Sequence, residues 1–328
     1  MTRTEEPRVA QVAFATTDIA GSLRLYVEGL GFANSGSSAL WGDMMELHGL
    51  TTEARTIMWW LVGSGAFFQI ELFAHGNPRP RALPEDWQAA DQGWGRVAVA
   101  VSDLDSVLER LPRCGIGEPI TASEGGGRRR VAFRDPYAGC FIELIEDVGR
   151  ALRGPGDFDV DPAIVSVTAS VLNLEATCEL YERIFGLERV ESDVLHGPED
   201  EELWGLKDAD RDLVAFRAGS TIIEIVRYKH PSARPKLADH RSSDQGIMNV
   251  CLGWRDWNAM RDVVDQLEAA GYTITLPVEH PPIGVTYVTD HDSLIELLAL
   301  PAELDEVTGF APVMPLLATA IPTVGGDA

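Results

Sequence analysis

The chain has 328 residues, of which 45% are hydrophobic and 24% charged, as is typical of a globular protein long enough for two domains. Its formal net charge of −24 argues against nucleic acid and anionic membranes as partners, because both would repel it. The N-terminus shows no signal peptide, no stretch is long and apolar enough to span a membrane, and the four cysteines form no CxxC pair. These features predict a cytoplasmic protein with reduced thiols.

Four segments open with a strand pattern that turns into a helix pattern. They begin at Gln11, Arg96, Ser166 and Asn249. Each alternates like a strand, meets an Asp, Asn or similar capping residue, continues with helical spacing of apolar residues, and ends at glycine. In the first segment, Asp18 is the expected N-cap and Gly31 marks the expected end of the helix.

Four later segments each read as an apolar strand with one carboxylate in its middle. The carboxylates are Glu71 in FFQIELF, Glu143 in CFIELIE, Glu224 in TIIEIVR and Glu296 in SLIELLA. Burying a charge without a partner is costly. Four such strands at regular intervals therefore predict a repeated architecture in which each carboxylate faces a shared recess.

The repeats divide the chain into modules. The distance from each opening segment to its carboxylate alternates long, short, long, short, which indicates duplication of a two-module unit. We predict an α+β fold of two tandem domains, with four βαβββ modules that form cupped mixed β-sheets. The predicted parts are a first domain 1–150 with modules 8–75 and 94–147, a Gly- and Pro-rich linker 151–163, a second domain 164–301 with modules 164–228 and 246–300, and a C-terminal tail 302–328.

This arrangement resembles the vicinal oxygen chelate superfamily, which includes glyoxalase I, bleomycin-resistance proteins, methylmalonyl-CoA epimerase and extradiol dioxygenases. The opening VAFATTDIAGSLRLYVEGLGF and the phrase FRDPYAGCFIELIE carry the resemblance. It implies glyoxalase-like domains in which two modules close a cup, with a metal held by opening residues and strand glutamates in the metal-using members. The matching positions are Gln11, Glu71, Arg96 and Glu143 in the first half, and Ser166, Glu224, Asn249 and Glu296 in the second.

No histidine occupies these positions, so the two histidines that an iron extradiol dioxygenase needs are absent and we exclude that class. Arg96 stays protonated and cannot bind a metal. We expect Arg96 to replace the cation and to neutralise Glu71, Glu143 or both. No cofactor is expected. If a divalent metal were bound, the oxygen donors would be Gln11, Glu71 and Glu143, or Glu224, Asn249 and Glu296.

The pairing of the modules stays open. If the chain is swapped as in a fused glyoxalase, the first and fourth modules share a cup. The two sets would then be Gln11, Glu71, Asn249 and Glu296, and Arg96, Glu143, Ser166 and Glu224. The first of these sets would be the richer in oxygen donors.

The expected function is a glyoxalase-like enzyme of the isomerase or lyase type that acts on a carbonyl-bearing small organic molecule. Glu71 or Glu143 would move a proton, because an apolar cup raises the pKa of a carboxyl group, and Gln11 and Arg96 would stabilise the oxyanion. One alternative is a non-catalytic protein that sequesters an aromatic or drug-like ligand. Its expected contacts are Trp41, Phe68 and Trp204. Another alternative is a metal-dependent relative of glyoxalases and epimerases. A homodimer stays open.

Overall fold

The computed structural model describes residues 5–117, 121–123, 128–154, 156–276, 278, 280–290 and 293–313. The predicted tail 302–328 is covered as far as 313, and the remainder lies outside the described residues. The strands are β1 Arg8–Ala15, β2 Ala33–Trp41, β3 Arg55–Val62, β4 Gln69–Asn77, β5 Gly93–Val101, β6 Thr121–Ser123, β7 Arg130–Arg134, β8 Phe141–Glu146, β9 Ala163–Ser170, β10 Glu188–Val190, β11 Asp210–Ala218, β12 Thr221–His230, β13 Gly246–Trp254, β14 Gly284–Asp290 and β15 Ser293–Ala299.

Each opening strand is followed by a helix with a side-chain cap. The α-helices in the described residues are α1 Ile19–Leu23, α2 Leu104–Arg110, α3 Leu174–Glu179 and α4 Trp257–Ala269. Asp18 accepts hydrogen bonds from the first turn of α1, as predicted, and so satisfies backbone N–H groups that have no partner inside the helix. The other caps are Asp103, Asn173 and Asp256. Helices α1 and α3 continue as π-helical turns, Arg24–Gly29 and Leu180–Phe185.

The strands form two mixed sheets, and each sheet takes one module from each half of the chain. Sheet A has the order β14-β15-β13-β1-β4-β3-β2, and sheet B has the order β10-β11-β12-β9-β5-β8-β7-β6. Antiparallel pairing of β1 with β13 and of β5 with β9 joins the modules. The first and fourth modules therefore share sheet A, and the second and third share sheet B.

This pairing is the swapped arrangement. It decides between the two pairings that the sequence left open, because each sheet joins a module from 1–150 with a module from 164–301. All four opening strands carry the same alternation, so any of them could pair with any other, and only packing in three dimensions decides. Within the predicted linker 151–163, the buried Arg153 forms ion pairs with Asp147 (3.3 Å) and Asp161 (2.5 Å).

The alternation in the opening strands directs one set of side chains into a common core. Val12, Val97, Val167 and Val250 belong to one buried cluster that includes residues of both sheets and of the four α-helices. Successive side chains of a strand point to opposite faces. The neighbouring residues Gln11, Arg96, Ser166 and Asn249 therefore lie on the faces turned away from this core. No helix in the described part of the chain is long and apolar enough to cross a membrane.

Candidate functional site

The outer face of sheet A brings together four predicted residues, which we call the sheet A site: Gln11, Glu71, Asn249 and Glu296. In the strand register, Ala13 lies between Glu71 and Asn249. Cys251 lies between Gln11 and Glu296 in the neighbouring row. These two small side chains leave room in the centre of the sheet, so the longer polar side chains can turn toward each other.

Glu71 is buried and is held by neutral hydrogen-bond donors. Trp60 Nε1 donates to Glu71 Oε1 at 2.8 Å, because the two residues are paired across β3 and β4. Gln11 forms a second hydrogen bond to this carboxyl group. Burial raises the pKa of Glu71 to about 7 despite the opposing effect of these two hydrogen bonds. Near neutral pH, Glu71 can therefore both accept and release a proton.

Glu296 is similarly buried, and its carboxyl group is coupled to that of Glu71. Asn249 Nδ2 donates to Glu296 Oε2 at 2.9 Å, and Tyr287 adds a hydrogen bond from β14. Burial, followed by the charge of Glu71, raises the pKa of Glu296 well above its ordinary value. In the part of the chain that the structure describes, no Lys, Arg or His side chain contributes a compensating charge to either carboxylate.

A cavity of about 200 Å³ lies over this face, with Gln11, Glu71 and Glu296 in its wall. Trp60 and Tyr287 are the other groups in the wall that contact these carboxylates. Most of the remaining wall is apolar and includes Leu40, Met58, Phe73, Val285, Leu298 and Phe310. The carboxylates therefore face a recess in which water is scarce and in which an organic molecule could be accommodated.

Residues 301–313 complete one side of this cavity through Phe310 and Thr308. Gly309, at φ +81°, packs so closely on Trp60 that a Cβ atom there would lie 2.6 Å from the indole ring. The side-chain amide of Gln69 donates to the carbonyl oxygen of Gly309 at 2.7 Å. The C-terminal segment thus holds the indole ring that donates to Glu71.

Burial lowers the pKa of His48, which also lines the cavity, to about 4, and the neighbouring His75 adds to this effect. Its Nε2 lies 3.4 Å from the hydroxyl oxygen of Tyr287. His48 is therefore neutral near pH 7 and brings no positive charge to the cavity.

Hydrogen bonds orient the polar side chains of the sheet A site. Asn249 turns its nitrogen toward Glu296 and leaves its Oδ1 buried without a hydrogen-bond partner, and Gln11 makes a hydrogen bond that lowers the pKa of Glu71. A divalent metal held here would take the two carboxylates and these amide oxygens as ligands. Within the described ranges, no group of three or more His, Cys, Asp or Glu residues is arranged to hold a metal ion.

The outer face of sheet B carries the other four predicted residues, which we call the sheet B site: Arg96, Glu143, Ser166 and Glu224. Here His196 occupies the space between the two carboxylates. Its Nε2 lies 2.6 Å from Glu143 and its Nδ1 lies 2.8 Å from Glu224. Burial alone would lower the pKa of His196, but the charges of Glu224 and Glu143 raise it to about 10. The imidazolium thus stands where a metal-using relative would need its cation.

Further buried ion pairs fill the sheet B site. Arg130 Nη1 donates to Glu143 at 3.1 Å. Arg96 Nη1 donates to Glu201 at 3.2 Å, and the hydroxyl group of Tyr228 donates to the same carboxylate at 2.6 Å. The carboxylate oxygens of this site are therefore already engaged by internal cations and hydroxyl groups, so a metal does not fit here.

Arg96 does not have the partners predicted from the sequence. Glu71 lies on the other sheet, and Glu143 is neutralised by His196 and Arg130, whereas Arg96 pairs with Glu201. The register explains this difference, because Arg96 is paired with Thr168 and Phe141 rather than with a glutamate. Gln11 and Glu71 are thereby separated from Arg96 and Glu143, with which they were grouped. The second-half candidates are divided in the same way, since Ser166 and Glu224 lie on sheet B and Asn249 and Glu296 on sheet A.

The three aromatic residues predicted to bind a ligand lie apart from the cavity. Trp41 is 61% exposed at the end of β2. Phe68 is part of the main buried core. Trp204 is buried in the sheet B site, where Arg96 lies 5.0 Å from its ring centroid. The tryptophan that reaches the cavity is Trp60.

The sequence analysis did not identify the residues that neutralise the buried charges of the sheet B site. His196 and Glu201 lie in or beside the short 3₁₀ turn Pro198–Trp204, outside the strand positions that the resemblance implied. The sequence did contain an indication of them, because several acidic residues of this turn follow closely after a histidine. Tyr287 was missed because its role depends on the pairing of β14 with β15.

Comparisons with known proteins agree with this geometry. The family model of the Glyoxalase/Bleomycin resistance protein/Dioxygenase superfamily matches residues 163–294. No curated protein sequence matches the chain.

Solved structures share the fold over nearly the full length. A mutant of glyoxalase I from Zea mays has 17% sequence identity and a TM-score of 0.60, and the match covers 93% of this chain and 97% of the other. A candidate dioxygenase from Bacillus subtilis has 16% identity and a TM-score of 0.61, with 95% and 92% coverage. At such low identity, these similarities concern the fold alone.

Proposed function

We propose an enzyme of the isomerase or lyase type, because residues 163–294 match the family model of the Glyoxalase/Bleomycin resistance protein/Dioxygenase superfamily and the fold is similar to that of glyoxalase I over nearly the whole chain. Its reaction would move a proton on a carbonyl-bearing small organic molecule bound in the cavity over sheet A. Glu71 would be the general base. The chemistry would proceed without a metal ion.

The observation that carries this proposal is the placement of Glu71 in an apolar cavity with a pKa of about 7. A general base works best when its pKa lies near the working pH, and such a group contributes typically ~10²- to 10⁴-fold to the rate. An ordinary exposed glutamate, with a pKa near ~4.3, would be too weak a base for a carbon acid. Burial therefore supplies the basicity that the reaction needs.

The neighbouring groups suit the remaining steps. Removal of a proton next to a carbonyl group places negative charge on the carbonyl oxygen, and preorganised donors lower the energy of that charge. Burial and the charges of Glu296 and Glu71 raise the pKa of Tyr287 well above its ordinary value, so its hydroxyl group stays protonated and can donate. Glu296, protonated for the same reasons, would return a proton to the substrate after Glu71 has accepted one.

A second function is favoured by one specific observation, which is the largely apolar wall of the cavity. A protein that only sequesters a small apolar molecule would need such a wall, with Trp60 rather than Trp41 or Trp204 in contact with the ligand. The two functions differ in one measurable respect. A sequestering protein binds the ligand and leaves its C–H bonds intact.

The test is exchange of the protons next to the carbonyl group of small uncharged ketones with deuterium from D₂O, followed by NMR. Wild-type protein is expected to accelerate the exchange, and Glu71→Gln to reduce this acceleration by about 100-fold or more. Glu109→Gln makes the same chemical change at an exposed position of α2 and is expected to behave like wild type.

Two outcomes would contradict the proposal. Equal exchange with wild-type protein and with Glu71→Gln would exclude this glutamate as the base, and binding without exchange would favour sequestration. A stoichiometric divalent metal in protein purified without chelators would contradict the metal-free chemistry.

A further inference from the structure

The wall of the sheet A cavity has an unusual distribution of charge. Among its lining residues in the described chain, the charged types are Glu71 and Glu296, and there is no Lys or Arg. Its histidine, His48, is buried and has its pKa lowered to about 4, so it is neutral near pH 7. The described lining therefore holds no positively charged group that could compensate an anion near pH 7.

An anionic ligand would meet an energetic barrier here. It would leave water for a largely apolar recess whose described lining holds no Lys or Arg to compensate its charge, and burying an unpaired charge is costly. The exposed side chains of Asp43 and Glu46 lie in the turn Gly42–His48, which also supplies Met44 and Leu47 to the cavity wall, and add negative charge near it. Carboxylates, phosphates and sulfonates are therefore disfavoured as ligands.

A cationic ligand is disfavoured for a different reason. The carboxyl group of Glu71 already accepts hydrogen bonds from Trp60 and Gln11, and that of Glu296 from Asn249 and Tyr287. An ammonium group would have to displace these donors and to leave water for a largely apolar recess, and burying a charge is costly unless it is well paired. The raised pKa values of both glutamates further weaken the negative charge that an ammonium group would need.

The volume of the cavity indicates the size of the group that it can enclose. At about 200 Å³, it is somewhat larger than an engineered apolar cavity of ~150 Å³ that binds benzene. One ring with a short substituent fits this space.

We propose that the sheet A cavity selects an uncharged, largely apolar ligand of about one substituted ring, with a single carbonyl group turned toward Glu71 and Tyr287, and that it rejects anions and cations of the same size. This proposal rests on the proposed function for the orientation of the carbonyl group. The selection by charge and size rests only on the cavity wall.

The test compares three probes of nearly equal size by ligand-observed NMR and calorimetry at neutral pH. Acetophenone is the uncharged probe, benzoate the anion and benzylamine the cation. Acetophenone is expected to bind at least about 10-fold more tightly than either of the others. Benzoate or benzylamine binding as tightly as acetophenone would overturn the proposal.

Two substitutions locate the binding. Val285→Trp places a large side chain in the cavity wall and is expected to abolish acetophenone binding. Val148→Trp makes the same change at a position that is 75% exposed and distant from the cavity wall, and is expected to leave binding unchanged. Unchanged acetophenone binding in Val285→Trp would overturn the proposal.

The outcomes also separate this proposal from the proposed reaction. Acetophenone binding to wild-type protein without exchange of its methyl protons would contradict proton transfer and leave the ligand class intact. Exchange of a charged ketone in preference to acetophenone would contradict the ligand class and leave Glu71 as the base.

Discussion

Replacing His196 with leucine tests whether an internal cation holds the sheet B site together. The imidazolium group lies 2.6 Å from Glu143 and 2.8 Å from Glu224, and both carboxylates are fully buried. Leucine removes both ion pairs and leaves Glu224 with a hydrogen bond from Thr168 at 2.8 Å. Glu143 keeps its contact with Arg130. The substitution therefore leaves one buried carboxylate without a cation in contact.

The magnitude follows from the pKa shifts of the two partners. Burial opposes the change, but the charges of Glu224 and Glu143 raise the pKa of His196 from 6.5 to about 10. Burial also opposes the change at Glu224, but His196 lowers its pKa from 4.5 to about 2. At about 1.4 kcal/mol per unit, these shifts place the loss in the free energy of unfolding at about 3–5 kcal/mol. The same range is typical for removing one partner of a buried ion pair.

The loss should depend on pH with a defined sign. A basic group whose pKa is raised by folding stabilises the protein fully below its unfolded pKa and loses this effect as pH rises through the folded pKa. The contribution of His196 is thus complete below pH 6.5 and falls toward about pH 10. That of Glu224 is complete above pH 4.5 and falls toward about pH 2. The difference between wild type and His196→Leu is therefore largest between pH 4.5 and 6.5.

Urea unfolding at about pH 5.5, 7.5 and 9.5 measures this difference, which should shrink by about 1.4 kcal/mol per pH unit above 6.5. His230→Leu, at an exposed histidine at the end of β12, is the matched control and should cost little. If His196→Leu does not fold, adding Glu224→Gln removes the stranded charge and should restore folding. A loss that is the same at all three pH values would refute the assignment of His196 as an internal cation.

Two further predictions concern the sheet A site. Gly309→Ala should push Trp60 away from its hydrogen bond to Glu71, because the new Cβ would lie 2.6 Å from the ring. That hydrogen bond lowers the pKa of Glu71, so its loss should move the acidic limb of the pH profile of proton exchange above about pH 7. Gly271→Ala introduces similar backbone strain at a site with open space around it, and should leave this limb in place. Glu296→Gln should raise the free energy of unfolding at about pH 8 by ~1–2 kcal/mol, because folding raises the pKa of Glu296 and such a carboxyl group lowers stability above its unfolded pKa; urea unfolding without a gain would contradict this.

The sequence was sufficient to predict the four modules and the residues that face away from the core. Period-two alternation places Gln11 and Asn249 on one side of their strands and Val12 and Val250 on the other, and this depends only on local geometry. The cap at Asp18 follows from equally local chemistry. Burial of the four strand glutamates, each at most 5% exposed, could also be inferred, because each is flanked by apolar residues on both sides.

The sequence did not predict which modules pair, or which residues pair with the buried charged side chains. The four opening strands are interchangeable in pattern, so the contact between β1 and β13 is decided by the packed protein as a whole. His196 reaches the sheet B site from the segment just before the turn Pro198–Trp204, and neither its direction nor its distance from Glu143 is encoded in a repeat. Arg96 was assigned to the wrong carboxylate for the same reason, since Glu201 also comes from that turn.

The two sheets use one inherited arrangement of glutamates in opposite electrostatic ways. In sheet B, internal cations compensate both strand glutamates, so these residues hold the fold and are unavailable for chemistry. In sheet A, the described residues offer Glu71 and Glu296 no cation, and burial raises the pKa of both. An uncompensated pair of buried acids lowers stability. Destabilising arrangements of this kind typically persist where function requires them. This energetic asymmetry is the reason why we propose sheet A as the reactive half of the molecule.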